Sequence, residues 1–154
     1  MKAGLNPEDE KIRYPQLSII PFESEFGFMA TLHSHDSKKL LFVKGAPEKI
    51  LEMCTEPASG GFLDKKKVLE TGEHFAEDGM RVLAMAYKEV QNDFSELTRH
   101  NIGGNFILAG MQGMIDPPRP EAVDAVRGCR EAGIRVAMIT GDHDNPYQIG
   151  RAHV

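Results

Sequence analysis

The sequence is short of several things, and each shortage excludes a class of protein. It has two cysteines, Cys54 and Cys129, far apart and in no CxxC pair. That excludes a disulfide framework and a cysteine zinc site, and it predicts two reduced thiols, one on each of two helices. No stretch approaches the roughly 20 apolar residues that span a bilayer, and because the start, Met1-Lys2-Ala3-Gly4, leads into polar sequence, no secretory leader is expected. A soluble chain without direct membrane insertion is expected. There is no basic stripe of the kind nucleic-acid binders carry. The net charge is −5, and the one lysine run, Lys65-Lys66-Lys67, is answered by Glu70, Glu73, Glu77 and Asp78, as on a solvated helix face. No GxxxxGK[ST] loop occurs, so this is not a P-loop protein.

What remains is a globular composition. The 154 residues are 41% hydrophobic and 27% charged, enough for one ordinary domain or two incomplete ones. A short helix is expected from Pro7. Strands are expected over 18–22, 28–33 and 39–44, the last two joined by the polar turn 34–37 as a hairpin. Pro47 suits the first turn of a helix whose apolar face is Ile50, Leu51 and Cys54. A loop over 55–63 leads to a helix over 64–78, with Val68, Gly72, Phe75 and Ala76 inward and Gly79 as its stop. Strands follow at 81–87 and 105–114, separated by a polar loop over 89–104. The expected fold is α+β: an antiparallel sheet with helices packed on one side.

The three prolines of 115–120 interrupt regular structure and mark a boundary. Beyond it comes a short α/β piece: a helix from Pro120 with Ala122, Ala125, Val126 and Cys129 on one face, a stop at Gly133, and an apolar strand over 134–139. The expected division is therefore 1–115, 116–143, and a tail over 144–154 that need not be native. The single α/β piece is too small to build its own sheet core.

Several constellations can carry chemistry, and each has a plain structural alternative. Thr140-Gly141-Asp142 follows a parallel-type strand, the edge where open α/β sheets bind ligands; the same residues also make an ordinary turn. Lys44 beside Gly45 ends a strand, either as a mobile cation for a phosphate or base or as an exposed lysine at a junction. Phe22 after Pro21 can stack on a base or pack in the core. Arg81 can pair with phosphate or face the end of the preceding helix dipole. His33 and His35 share a sheet face by their spacing, and with Asp36 pointing away they read as a solvated hairpin tip rather than a metal site.

In order along the chain stand Ile20-Pro21-Phe22-Glu23-Ser24-Glu25, Met29-Ala30-Thr31, Lys44-Gly45-Ala46-Pro47-Glu48, Gly79-Met80-Arg81-Val82-Leu83-Ala84, Asp116-Pro117-Pro118-Arg119 and Met138-Ile139-Thr140-Gly141-Asp142-His143. Over residues 17–143 this resembles the nucleotide-binding domain of a P-type cation-transporting ATPase running into its phosphorylation domain, closest to the calcium-pump-like branch of bacteria and archaea. The resemblance implies that ATP is the ligand, with Mg²⁺ beside it in the parent protein. It implies that Phe22 stacks on adenine, Met29 lines the pocket, and Lys44 with Gly45 forms its floor. Arg81 would reach the phosphates and Leu83 would pack beneath. Asp116, Pro117, Pro118 and Arg119 would be the hinge, and Thr140, Gly141 and Asp142 would meet the γ-phosphate side. The implied partners are the phosphorylation, actuator and transmembrane domains of the pump, and the implied location is the cytoplasmic side of a membrane.

The departures are equally specific. The DKTGT phosphorylation motif and the distal GDGxND loop are absent. Phosphoryl transfer needs an in-line nucleophile and a metal clamp, so no turnover is expected of this chain alone. Strands and an acidic adenine contact usual early in the domain are also missing, and the tail after His143 does not read as the expected helix. Where the family often carries a basic pair, this chain has Phe26-Gly27, which removes a lysine from the pocket. Two other classes stay open: a phosphatase of the haloacid dehalogenase fold, which the missing DxDx[TV] loop opposes, and a non-catalytic interaction module. An exposed sheet edge invites pairing between copies, so a homodimer is a further expectation.

Overall fold

The structure, a computed structural model, describes residues 4–94, 96–115 and 119–137. The chain divides into two units, residues 1–116 and 117–154.

The first unit is a six-stranded mixed sheet with two of its helices packed on one face. Its elements in chain order are α1 (Pro7–Arg13), β1 (Gln16–Glu23), β2 (Phe28–His35), β3 (Lys38–Gly45), α2 (Pro47–Met53), β4 (Cys54–Pro57), α3 (Lys65–Glu77), β5 (Arg81–Val90) and β6 (Phe106–Met114). The strands lie in the order β1-β2-β3-β5-β6-β4. All neighbours are antiparallel except β4 and β6, which run parallel.

Strand alternation sorts the residues between two faces. Ala30 and Leu32 of β2, Leu41 and Val43 of β3, Ala84 and Ala86 of β5, and Phe106 and Leu108 of β6 are buried on one face, with Ile50 and Leu51 of α2 against them. The loop over 91–105 contributes Leu97 and Ile102 to the same core. Their neighbours in sequence, Met29, Thr31, Phe42, Lys44, Met85 and Tyr87, fall on the other face.

Helix ends follow their signals. Asn6 and Asp64 cap α1 and α3 with side-chain oxygens. Gly79 ends α3 at φ 75°, with its own N–H bonded to the Ala76 carbonyl and the Met80 N–H reaching back to Phe75. That is the paired-bond C-terminal motif that glycine favours.

Four expectations need correction. The segment after α2 is not all loop: Cys54–Pro57 form β4, so Cys54 begins a strand rather than sitting in a helix. The β2–β3 turn is only Asp36-Ser37, because the strands pair as far as His35 and Lys38. Ala76 is exposed, and the half-buried Leu69 takes its place on the inner stripe of α3. His33 and His35 are not a solvated tip. His33 Nδ1 donates to the Tyr14 carbonyl at 2.9 Å, and the His35 ring stacks on Tyr14 at 4.3 Å, so the pair holds the end of α1.

In the second unit α4 (Pro120–Glu131) starts with proline after Arg119 and stops at Gly133 (φ 74°), where the Ile134 N–H bonds the Cys129 carbonyl. No residue of α4 is buried, and Val126 and Cys129 are half-buried. The strand expected over 134–139 is not formed by residues 134–137. A parallel strand needs neighbours to satisfy its backbone, and the described residues of this unit supply none. Asp116, Pro117, Pro118, Thr140, Gly141, Asp142 and the 144–154 tail lie outside the described residues.

Candidate functional site

The face opposite the core carries a cavity of about 440 Å³. Its shape follows from the register. Met29 of β2, Lys44 of β3 and Met85 of β5 stand side by side across three strands. One step along, Thr31, Phe42 and Tyr87 make a second row, and His33 lies beyond them. Gln16 and Ala109 close the sides. Ala109 reaches the cavity because β6 bulges there: Met85 faces Gly110 while Ala86 faces Leu108.

The lining is mostly thioether, aromatic and methyl surface, with Gln16, Thr31 and His33 as polar members and one cation, Lys44, which is exposed. Flat apolar rows with a single mobile ammonium suit an aromatic ring bearing polar edges or a nearby anion. Among the described residues, no three His, Cys, Asp or Glu side chains are grouped to hold a metal ion.

Phe22 is set apart by a bulge in β1. Ile20 faces Ala30 and Glu23 faces Phe28, so Pro21 and Phe22 together oppose Met29. A bulge re-aims side chains at a strand edge, and it is a place where proline fits. Phe22 is 56% exposed and does not line the cavity.

Leu83 and Arg81 continue the row of Met85 along β5 by alternation, toward the strand's start. From Met85 to Arg81 is four residues, roughly 13 Å at about 3.3 Å each. Arg81 is exposed and Leu83 half-buried. Neither lines the cavity, but both stand on its face.

Gly45 is different. It is buried on the core side, and its reason is local packing. A Cβ there would lie 2.2 Å from the Gly27 carbonyl oxygen and 2.7 Å from Phe28 Cα. The same close approach lets the Ala46 N–H bond the Gly27 carbonyl at 2.9 Å.

The face thus brings Met29 and Lys44 together in the cavity and carries Leu83 and Arg81 farther along β5, while Phe22 stays outside the lining and Gly45 lies on the core side. Sequence reasoning missed Thr31, Phe42, Met85 and Tyr87. Their signal was present, since each is two residues from a named residue or from one that pairs with it. It also missed Arg99, in the polar loop, which ion-pairs with Glu23 and lies over the Phe26 ring at 4.0 Å.

Two groups off this face have shifted titrations. Burial pushes the Cys54 thiol up, with Lys65 partly opposing, so it stays protonated. Burial pushes the Lys88 ammonium down, although its Nζ donates to the carbonyls of Ile102 and Gly104 at 2.5 and 2.9 Å.

Residues 1–121 match the family described as P-type ATPase, cytoplasmic domain N. The chain is 42% identical over 151 residues to the cation-transporting ATPase pma1 of Synechocystis, covering 96% of this chain and 17% of that protein. It is 42% identical over 146 residues to the probable cation-transporting ATPase F of Mycobacterium bovis, covering 92% and 16%. It is 35% identical over 153 residues to the calcium-transporting ATPase 1 of Lactococcus lactis, covering 96% and 17%. The chain spans about one sixth of the length of these relatives. Among the described residues, no helix is long and apolar enough to cross a membrane. With its mixed sheet, packed helices and family match over most of its length, the chain belongs to the N-domain family of the P-type ATPases.

Proposed function

We propose that this chain is the ATP-holding part of a P-type ATPase that couples ATP hydrolysis to cation transport, and that the cavity face receives the adenine end of ATP. The observation that carries it is the row Met29, Lys44, Met85 across three strands, an apolar floor with one free ammonium. Phe22 closes over the base from its bulge, and Leu83 and Arg81 line the path of the triphosphate. Magnesium arrives with the phosphates. Calcium is the favoured cation, in line with the relative from Lactococcus lactis.

The rest of the scheme extends this. Residues 1–115 hold nucleotide, and Asp116, Pro117, Pro118 and Arg119 hinge them to a partial phosphorylation domain over 116–143. Thr140, Gly141 and Asp142 meet the γ-phosphate there, and the aspartate that accepts it belongs to the pump's remaining domains. The chain alone holds nucleotide without turnover, on the cytoplasmic side of the pump's membrane. A second copy pairing along β1 is favoured by one feature: β1 is an edge strand whose Leu17 and Ile19 are half exposed.

The test is a thermal melt with and without ATP, for the native sequence, Phe22→Ala and Lys44→Ala. Nucleotide at ten times its dissociation constant stabilises by about 1.4 kcal/mol, a shift of a few degrees for a unit of this size. A shift in the native chain that shrinks in both variants is expected. No shift at millimolar ATP, with cooperative folding intact, would refute nucleotide holding and leave a non-catalytic interaction module. Hydrolysis of a small phosphate ester would favour the phosphatase class.

A further inference from the structure

We infer that Arg99 is a positioning residue for this site: it clamps the β1–β2 hairpin and thereby holds Phe22 in place. The inference rests on the nucleotide-holding role proposed for the face. The clamp begins with the loop over 91–105, which is tied at both ends. Lys39 Nζ donates to the carbonyls of Asn92 and Phe94 at 2.7 and 2.9 Å. Lys88 Nζ holds those of Ile102 and Gly104. Between them the buried Leu97 and Ile102 anchor the loop in the core.

The tip is closed as well. The Thr98 N–H donates to Asn101 Oδ1 at 2.8 Å, and Asn101 Nδ2 donates to the Glu96 carbonyl at 2.8 Å. Arg99 projects from this braced turn. Its guanidinium pairs with Glu23 and lies 4.0 Å from the centroid of the Phe26 ring. Glu23 ends β1 directly after Phe22, and Phe26 lies in the turn that follows. A planar cation that pairs and stacks at once ties the end of β1 to the turn after it, which a lysine does poorly. Phe22, more than half exposed on a bulge, has little packing of its own. The placement of its ring therefore depends on how firmly the hairpin is held.

The Arg99–Glu23 pair is partly exposed, and such pairs add little to global stability. Positioning and stability therefore separate in experiment. Calorimetric titration with ATP and amide hydrogen exchange without it are run on the full chain, on Arg99→Ala and on Arg99→Lys. The reporters are the N–H groups of Phe26 and Gly27, both bonded to the Glu23 carbonyl. Arg99→Ala is expected to weaken ATP binding roughly five-fold, to speed exchange at those two amides, and to leave the melting temperature nearly unchanged. Arg99→Lys should recover part of the binding through its charge but not the slow exchange. Unchanged exchange in Arg99→Ala overturns the clamp. So does unchanged ATP affinity in a variant whose melting temperature falls. If the native chain binds no ATP, the nucleotide role of the face fails, and Phe22 is not positioned for that ligand. The inference is then overturned whatever the exchange shows.

Discussion

Gly45 gives the sharpest test of the fold, because its sequence context and its structural role point in different directions. It sits in the Lys44-Gly45-Ala46-Pro47-Glu48 box, where a nucleotide contact is the first expectation. In the structure it is a point where β3 packs tightly against the β1–β2 hairpin. An alanine Cβ would lie 2.2 Å from the Gly27 carbonyl oxygen, 2.7 Å from Phe28 Cα and 2.8 Å from Phe28 Cβ. Two of the three are backbone atoms, which cannot swing aside as a flexible side chain does. Relief requires β2 and β3 to separate near their Phe28–Gly45 pair, which also stretches the 2.9 Å bond from the Ala46 N–H to the Gly27 carbonyl. Overpacking of this kind costs about 1–3 kcal/mol, and the weakened bond adds about 1 kcal/mol. About 3 kcal/mol is a fair expectation for Gly45→Ala. Unfolding entropy for a unit of 116 residues is about 0.24 kcal/mol per kelvin. The expected loss is then roughly 12 °C in melting temperature. Calorimetry or far-ultraviolet dichroism on the native chain and Gly45→Ala measures it directly. A variant that melts within about 2 °C of the native chain would refute the close-approach account.

Two further outcomes follow from the groups with shifted titrations. Lys88→Met removes two bonds from a charged donor while relieving its burial, and should cost about 2 kcal/mol net in urea unfolding. Folding lowers the pKa of Lys88, so the unfolded chain holds that proton more tightly, and the group's contribution rises with pH between its lowered value and about 10.4. The stability gap between native chain and variant should widen across that window, and a gap that narrows from pH 8 to pH 10 would contradict the assignment. Cys54, 1% exposed with its thiol pKa raised, should react with iodoacetamide at least about 100-fold more slowly than the half-buried Cys129, because it needs local opening first. Equal labelling rates, followed by mass spectrometry of the peptides, would show that β4 is not packed as described.

Most of the fold was legible because its signals are local. Pro7, Pro47 and Pro120 open helices; Gly79 and Gly133 close them; alternation marks β2, β3 and β5. What was illegible depends on partners distant in sequence. β4 is four residues long, contains Pro57 and has no period of its own; it is a strand because β6 lies beside it. The reverse holds for residues 134–137, whose apolar run reads as a strand but finds no neighbour among the described residues. The loop over 91–105 looked polar because its buried members, Leu97 and Ile102, are isolated in sequence and meet the core only through the fold. Arg99 was hidden for the same reason, its two partners lying more than seventy positions away.

The alternation that builds the sheet also divides its labour. In Phe42-Val43-Lys44-Gly45, the first and third residues face the cavity while the second and fourth are buried behind them. In Leu83-Ala84-Met85-Ala86-Tyr87 the same order holds, with Ala84 and Ala86 fully packed and their neighbours on the open side. One motif therefore carries two functions at a spacing of one residue. Substitutions at 43, 45, 84 and 86 act on packing and should appear as lost stability, through cavities or overpacking. Substitutions at 42, 44 and 85 remove cavity-lining surface, and under the proposed nucleotide-holding role they should appear as lost affinity in a chain that still melts cooperatively. A contiguous motif such as Lys44-Gly45 cannot be given one role, because the pleat turns its two residues to opposite sides.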